Sequence, residues 1–541
     1  MKHDRADINS VRENTFFILC ICAVICFPFS EGLVSVFFAL LLLQALVLFS
    51  WKHPSVESRS LRLLFFPVSI FAVYLAGMIF SRDISMALYE LKKVCFWLIV
   101  PLIFFLSPAL SDKKIYILLL IFTASVCVSS LFSFSKLILH DYFMVEDIRK
   151  ISFISHIRFS FQVVLAVIIL FWFLLVNPLL WSKKWQLALA VAMLWLLFML
   201  FVLKSLLAII AFIAALEIVL LYYILKMRKL KLKIGLLAVA ALTVLLPVVY
   251  IGSVVFGYYD FKNVEPENIE KFTAGGRPYY HDFEYHLREN GYLVGLYNCD
   301  EELKNEWNKR GKVQYDEPFA SGYPLSVTLK RYMTSRDYKK DSVGVWKLTE
   351  KDIEMIEDGV TNYKFDNRFF SLYPRIYETV CEIDVYKQTG DPSGKSFVQR
   401  IEFLKASFYL IKKKPLFGTG TGNWRIEYDN AYEQIHSKLD IDKRASSHNQ
   451  YVNYMVKFGI VGMIWILFAI VYPVFRSANR YNFIFVFFLI FMGFANFGDA
   501  NLETHMGLSF FSFFYSLFLV DSTKLINERF ISTFTIKKNG Y

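Results

Sequence analysis

Charge is scarce in this chain: Asp, Glu, Lys and Arg together make up 20% of 541 residues, while 56% are apolar. So few polar groups cannot clothe a water-facing surface, which excludes an ordinary soluble enzyme and points to a protein that crosses a membrane many times. Metal-binding patterns are missing too. There is no HExxH, no CxxC pair, and no run of His and carboxylates at ligand spacing. The early outer turns offer only Glu31 and an isolated Asp83, so the expectation is chemistry without metal or cofactor. No repeat of solenoid length and no low-complexity tract occurs, which excludes stacked-repeat scaffolds. Cysteine is sparse, at seven, and five (Cys20, Cys22, Cys26, Cys95, Cys127) sit inside apolar runs as small packing residues. Cys299 and Cys381 lie in the long polar segment, and the sequence leaves their pairing open.

What the chain does have is long apolar runs. A bilayer core of about 30 Å calls for roughly 17 to 25 apolar residues per helix. Runs of that kind fall near 15–30, 32–51, 62–80, 94–110, 115–136, 159–180, 186–203, 205–225, 234–256, 450–475, 481–497 and 506–522. The expected fold is therefore an all-α polytopic membrane protein with about twelve transmembrane helices. A short basic start (Lys2, Arg5, Arg12) precedes the first run, but no small-residue cleavage site follows, so an uncleaved helical hairpin is expected.

Basic residues collect in alternate turns: Lys52, Arg59 and Arg62; Lys113 and Lys114; Lys183 and Lys184; "KMRKLKLK" at 226–233; Arg476 and Arg480. Positive charge resists export, so these turns, both termini and a tail over 523–541 are expected in the cytoplasm. Topology then accounts for most of the net charge of +12, and no nucleic-acid surface is needed. The domain reading is helices one to nine over 1–256, a large extracytoplasmic loop domain over 257–447, and helices ten to twelve over 448–522. Within the loop, "WKLTEKDIEMIEDG" reads as a helix capped by Thr349, and "YKQTGDPSGKS" as a turn-rich connector. "FVQRIEFLKASFYLIKK" spaces Phe397, Ile401, Leu404, Phe408 and Ile411 as an amphipathic helix suited to a membrane surface.

Three constellations stand at the outer boundary. "SSHNQYVNYMVKFGIVG" places His448 at the entry to helix ten; on one continuous helix Gly459 and Gly462 share its face, a smooth strip for a close helix or an acyl chain. "KKKPLFGTGTGNW" alternates Gly418, Gly420 and Gly422, which reads either as a tight structural turn or as a loop turning amides onto phosphate. Arg158, Arg375, Arg400 and Arg425 offer planar forks of donors that match phosphate, and Lys204 either snorkels or faces a cavity. For each cation alone, an ordinary surface role is an equal or better account.

Together these residues resemble the O-antigen ligase and polymerase superfamily. "HNQYVNYMVKFGIVG" is similar to its signature of His, Asn, nine residues, Gly, two residues and a second small residue. "RIEFLKASFYLIKKKPLFGTGTGNW" resembles its Arg-led helix and glycine turn, and "NLETHMGLSFFSFFYSLF" its last helix. The long loop, with "LKRYMTSRDYKKDSVGVWKLTEKDIEMIEDG", looks like the Bacteroidetes variant. The resemblance implies an O-antigen ligase of the bacterial inner membrane. On the periplasmic side it would move a glycan from undecaprenyl pyrophosphate to a sugar hydroxyl of lipid A core. His448 would be the general base, Asn449 its neighbour at the substrate, and Arg400 a pyrophosphate ligand. Lys204 would stand where the family has a second arginine, assisted by Arg158, with Gly418, Gly420 and Gly422 near the phosphates and Gly459 and Gly462 beside the polyprenyl tail. Polymerase and protein O-oligosaccharyltransferase are alternatives within that chemistry. A twelve-helix transporter is a further one, against which the lack of two matching halves counts.

Overall fold

In the computed structural model the described residues are 2–47, 61–79, 81–139, 150–227, 229–318, 323–366, 371–477, 479–480 and 482–520. Lys52, Arg59 and the tail over 523–541 lie outside them. The chain divides into two compact units, residues 1–237 with 403–437 and 441–541, and residues 238–402 with 438–440.

Among its described residues the first unit has helices as its only regular elements. Its helices begin with α1 (Lys2–Cys26), α2 (Glu31–Val47), α3 (Leu61–Ile79), α4 (Ile84–Val94), α5 (Phe96–Leu106), α6 (Asp112–Leu139), α7 (His156–Val176), α8 (Lys183–Val202) and α9 (Leu206–Lys226); α10 (Leu230–Tyr258) starts here and runs into the second unit. Within the described residues, each apolar run read from the sequence lies mainly in helix. Among the described residues, six helices, α6 to α10 and Gln450–Arg476, are long and apolar enough to cross a membrane, and four more apolar helices are shorter. This is an all-α polytopic membrane protein. The run expected over 94–110 is cut at Cys95 into α4 and α5, and Asp83, isolated in the sequence, caps α4 by accepting the Met86 amide at 2.8 Å. Phenylalanine fills the interior. Phe27 in the α1–α2 turn meets Phe38, Phe510 and Phe513 edge-on, with centroids 5.6–6.2 Å apart; such pairs add about 0.5–1.5 kcal/mol beyond burial.

The second unit contains β1 (Arg288–Glu289) and β2 (Tyr292–Leu293), closed by Asn290 and Gly291, both at positive φ, as a tight hairpin turn requires. Around them stand α11 (Asp300–Arg310), α12 (Leu325–Ser335), α13 (Ser342–Trp346), α14 (Glu350–Glu357) and α15 (Tyr373–Thr389). Thr349 caps α14 as expected, in a reciprocal capping box with Asp352. Trp307, Leu329, Tyr332 and Ile356 form one core; Tyr258, Phe365 and Tyr377 form another. Cys299 and Cys381 are both free and buried, so the open question of their pairing closes on two separate thiols. α16 (Ser396–Lys413) leads back to the first unit. It buries Val398, Phe403, Ala406 and Leu410, and leaves Phe397 and Phe408 of the expected apolar face exposed.

α17 (Trp424–Gln434), α18 (Gln450–Arg476), α19 (Phe483–Ala495) and α20 (His505–Val520) complete the chain. α18 packs along α3, α20 along α5, and α19 against α9.

One buried group in the second unit gives a pH signature. Lys340 is 2% exposed, its Nζ donating to Thr334 Oγ1 at 3.0 Å, and burial, reinforced by the charge of Lys330, pushes its pKa down to about 7. The unfolded chain takes that proton near 10.5, the folded one only near 7. Between those values the unfolded state holds more protons, so stability rises with pH by about 1.4 kcal/mol per unit and is lowest below 7. Lys340→Met is expected to stabilise this unit at pH 7 and flatten the rise to pH 9, read by hydrogen exchange of its amides in the full-length protein.

Candidate active site

The site is organised by a break in α18. Gly459 adopts φ 63°, ψ −171°, in the middle of that helix, a backbone state open to glycine and costly for any other residue. The break leaves carbonyls and amides without helical partners, and a second segment satisfies them. Thr419 and Gly420 donate their amides to the Val456 and Lys457 carbonyls at 2.8 Å each, while the amides of Ile460 and Val461 reach the Pro415 and Leu416 carbonyls at 2.9 and 3.3 Å. Further along, the Thr421 amide bonds the Gly77 carbonyl of α3 at 3.1 Å, and the Gly422 amide bonds Ser81 Oγ at 2.8 Å. No side chain fits between these backbones. A Cβ on Gly459 would stand 2.2 Å from the Leu416 carbonyl carbon, one on Gly418 2.5 Å from that of Lys457, and one on Gly422 2.3 Å from the Asp83 oxygen.

This geometry settles the open alternatives for the glycines. The amides of Gly418, Gly420 and Gly422, the Gly418 amide going to Lys414 at 3.2 Å, are committed to protein acceptors, so the loop is the structural turn and presents no nest of amides to a phosphate. The continuous face drawn through His448, Gly459 and Gly462 is corrected as well. His448 precedes the helix, Gly459 interrupts it and is covered by Leu416, and Gly462 lies against Phe458, where a Cβ would come within 2.3 Å. Asn449 is the N-cap, its Oδ1 accepting the Tyr451 and Val452 amides at 3.0 and 3.1 Å, so that oxygen is occupied by capping.

His448 itself stands half-exposed, its ring 5.7 Å from Phe403. Its Nδ1 lies 3.8 Å from Oδ1 of Asp499, an ion-pair separation longer than a hydrogen bond. Asp499 is buried in the α19–α20 connection, and its other oxygen is 2.7 Å from the guanidinium of Arg158 in the first turn of α7. Burial alone would raise the Asp499 carboxyl, but the His448 imidazole and the Arg158 charge hold it below the usual carboxylate value. Arg158 thus serves the carboxylate directly. Lys204, at φ 47° in the α8–α9 turn, begins the segment whose Leu207 packs on Gly498, next to Asp499. Arg400 is exposed on α16, in the part grouped with the second unit.

Below His448 lies an ionic cluster. Lys457 Nζ is 2.8 Å from Glu90 and 2.9 Å from Glu503, all three buried, and Lys93 reaches Glu90 at 2.6 Å. Glu503 also accepts the Tyr74 hydroxyl at 2.8 Å and Asn453 at 3.2 Å; Asn453 in turn takes the Ser447 hydroxyl at 2.7 Å. The Leu502 amide donates to Gln450 at 2.8 Å and the Gln450 amide to the Asn496 carbonyl at 2.9 Å. The segments carrying His448 and Asp499 are therefore fastened together on both sides.

Among the described residues no group of three or more His, Cys, Asp or Glu is placed to hold a metal ion. Residues 359–467 match the family described as O-antigen ligase. Over that stretch, a fifth of the chain, the sequence is similar to an O-antigen ligase superfamily domain. Proteins of that superfamily are membrane ligases and polymerases of lipid-linked glycans. The matched stretch holds Arg400, the glycine turn, His448 and both helix glycines, while Arg158, Lys204, Asp499, Glu90 and Glu503 lie outside it. No curated protein matches the chain.

Sequence reasoning passed over Asp499 and the Lys457 cluster. The signal was present: ionisable residues within or beside apolar helices mark polar interiors. Removing one member of a buried ionic cluster costs about 3–5 kcal/mol because its partners stay charged and unpaired. Lys457→Met is accordingly expected to lower the melting temperature sharply in detergent, and adding Glu90→Gln and Glu503→Gln to it should restore most of the loss.

Proposed function

We propose that this protein is an O-antigen ligase, transferring a glycan from undecaprenyl pyrophosphate to a sugar hydroxyl of lipid A core on the periplasmic side of the bacterial inner membrane. The observation that carries the reading is the half-exposed imidazole of His448 with Nδ1 turned toward Asp499. In the reacting complex this 3.8 Å separation closes to a hydrogen bond in which Nδ1–H donates to the ionised carboxylate, and Nε2 is left as the basic nitrogen toward the acceptor. As the acceptor oxygen bonds the anomeric carbon of the donor sugar, His448 removes its proton. The bond from that carbon to the pyrophosphate oxygen breaks, and undecaprenyl pyrophosphate departs with the electron pair. Asp499 stabilises the resulting imidazolium, in the manner of a carboxylate orienting a catalytic histidine.

The leaving group gathers negative charge, which fixed cations stabilise best when held in place before reaction. Arg400 and Lys204 are assigned to that role. Arg158, already engaged by Asp499 at 2.7 Å, acts by keeping the carboxylate in position. Polymerases of the same superfamily share the matched domain and differ in using a second lipid-linked glycan as acceptor, so the acceptor distinguishes the two activities.

The test is incubation of the purified protein in detergent with lipid-linked glycan and lipid A core, the product read by mass. His448→Ala is expected to lower turnover by about 10²- to 10⁴-fold, the usual contribution of a general base, with membrane insertion unchanged. Asp499→Asn should lower kcat with little change in KM, and Arg400→Ala should abolish transfer. EDTA is expected to leave the rate unaltered. Undiminished transfer by His448→Ala would remove the imidazole from the mechanism.

A further inference from the structure

The second unit contains a cleft of about 500 Å³, within the range of roughly 300–1,000 Å³ usual for small-ligand sites. Its floor is built where two extended segments exchange backbone hydrogen bonds, the Tyr280 amide to the Asn298 carbonyl at 2.7 Å and the Asn298 amide to the Tyr280 carbonyl at 3.0 Å. The start of α11 and one face of α12 form the walls. None of these residues takes part in the transfer chemistry described above.

The lining is chemically selective. Each of its cations already has a carboxylate: Lys330 lies 2.6 Å from Asp300, Arg277 pairs with Glu301, and Arg331 reaches buried Glu289 through Nε at 2.8 Å and a terminal nitrogen at 2.6 Å. Asp282 adds a further carboxylate, held by the Glu284 and Tyr285 amides at 3.0 Å each. With no positive charge in surplus, the cleft is a poor host for phosphate or pyrophosphate. It does present two aromatic faces, Tyr280 being 66% and Tyr285 47% exposed. At its base Asn298, 9% exposed, donates from Nδ2 to the Gly295 carbonyl at 2.8 Å, while its Oδ1 has no protein partner. A buried carbonyl oxygen of this kind calls for a donor from outside the protein.

Exposed aromatic faces, paired carboxylates and cations, and a buried acceptor at the base suit a molecule that is neutral, rich in hydroxyls and apolar on the C–H face of its ring. We propose that the cleft is a glycan-binding site, taking sugar residues distant from the reacting bond, with a ring against Tyr280 and a hydroxyl donating to Asn298. The proposal rests on the ligase reading for the identity of the glycan, which belongs either to the donor chain or to the acceptor core. Holding remote sugars would raise the affinity for one substrate without entering the chemical step.

The experiment uses the full-length protein in nanodiscs. Two oligosaccharide fractions released by mild acid from the lipopolysaccharide of the producing cell, O-chain and core, are titrated separately and followed by saturation-transfer NMR. One fraction is expected to bind, and which one distinguishes donor from acceptor. Tyr280→Ala should weaken binding at least about fivefold, as truncating an aromatic anchor does, and raise KM for that substrate at unchanged kcat; Tyr280→Phe should keep both. His448→Ala should bind as the wild type does. The proposal is overturned if neither fraction binds, if Tyr280→Ala binds as wild type, or if inorganic pyrophosphate displaces the sugar. Transfer without such binding would sink this site and leave the ligase reading standing, whereas Tyr280-dependent binding without transfer would do the reverse.

Discussion

A single ammonium group holds the polar heart of the helical unit together. Lys457 lies within hydrogen-bond reach of two carboxylates, Glu90 from α4 and Glu503 from the turn before α20, at 2.8 and 2.9 Å, with all three side chains buried. Charges removed from water this fully persist only when paired and hydrogen-bonded, and here the pairing draws in Tyr74, Asn453 and Lys93. The cluster sits at the far end of the half-helix that begins behind His448, one turn or less before the break at Gly459. Its carboxylate Glu503 is four residues from Asp499. The distance between the imidazole and its carboxylate therefore depends on an interaction several residues from either.

The broken helix is the second constraint, and it explains why glycines occur where they do. On a straight helix Gly459 and Gly462 would be a packing seam; in the folded chain Gly459 turns the backbone through a left-handed state so that the 415–420 segment can bond both edges of the gap. The alternating glycines of that segment answer the same need from the other side. Backbones crossing at this distance leave no volume for a Cβ.

Much of the fold was legible in the sequence because it follows from hydrophobic runs, which one-dimensional patterns record well. Within the described residues each predicted apolar run lies mainly in helix, and the Thr349 cap stands where its motif placed it. His448 could be picked out because it stands at a polar boundary. Asp499, Glu90 and Lys457 could not be joined to it, since pairing across some 370 residues of sequence, as between Lys457 and Glu90, leaves no periodic trace. The helical wheel drawn through His448 failed for a related reason. A wheel assumes an unbroken helix, and the glycine spacing that suggested a smooth face was the mark of an interruption.

The crossing at Gly77 also bears on when the candidate site can form. Thr421 hydroxyl bonds the Tyr74 carbonyl, a partner 347 residues earlier in the chain, and the cluster behind it further requires Glu503. Contacts of such span form only after the intervening segments are made and placed. During synthesis the surroundings of His448 are thus among the last parts to assemble, so a ribosome-bound chain that already spans the bilayer would still lack them.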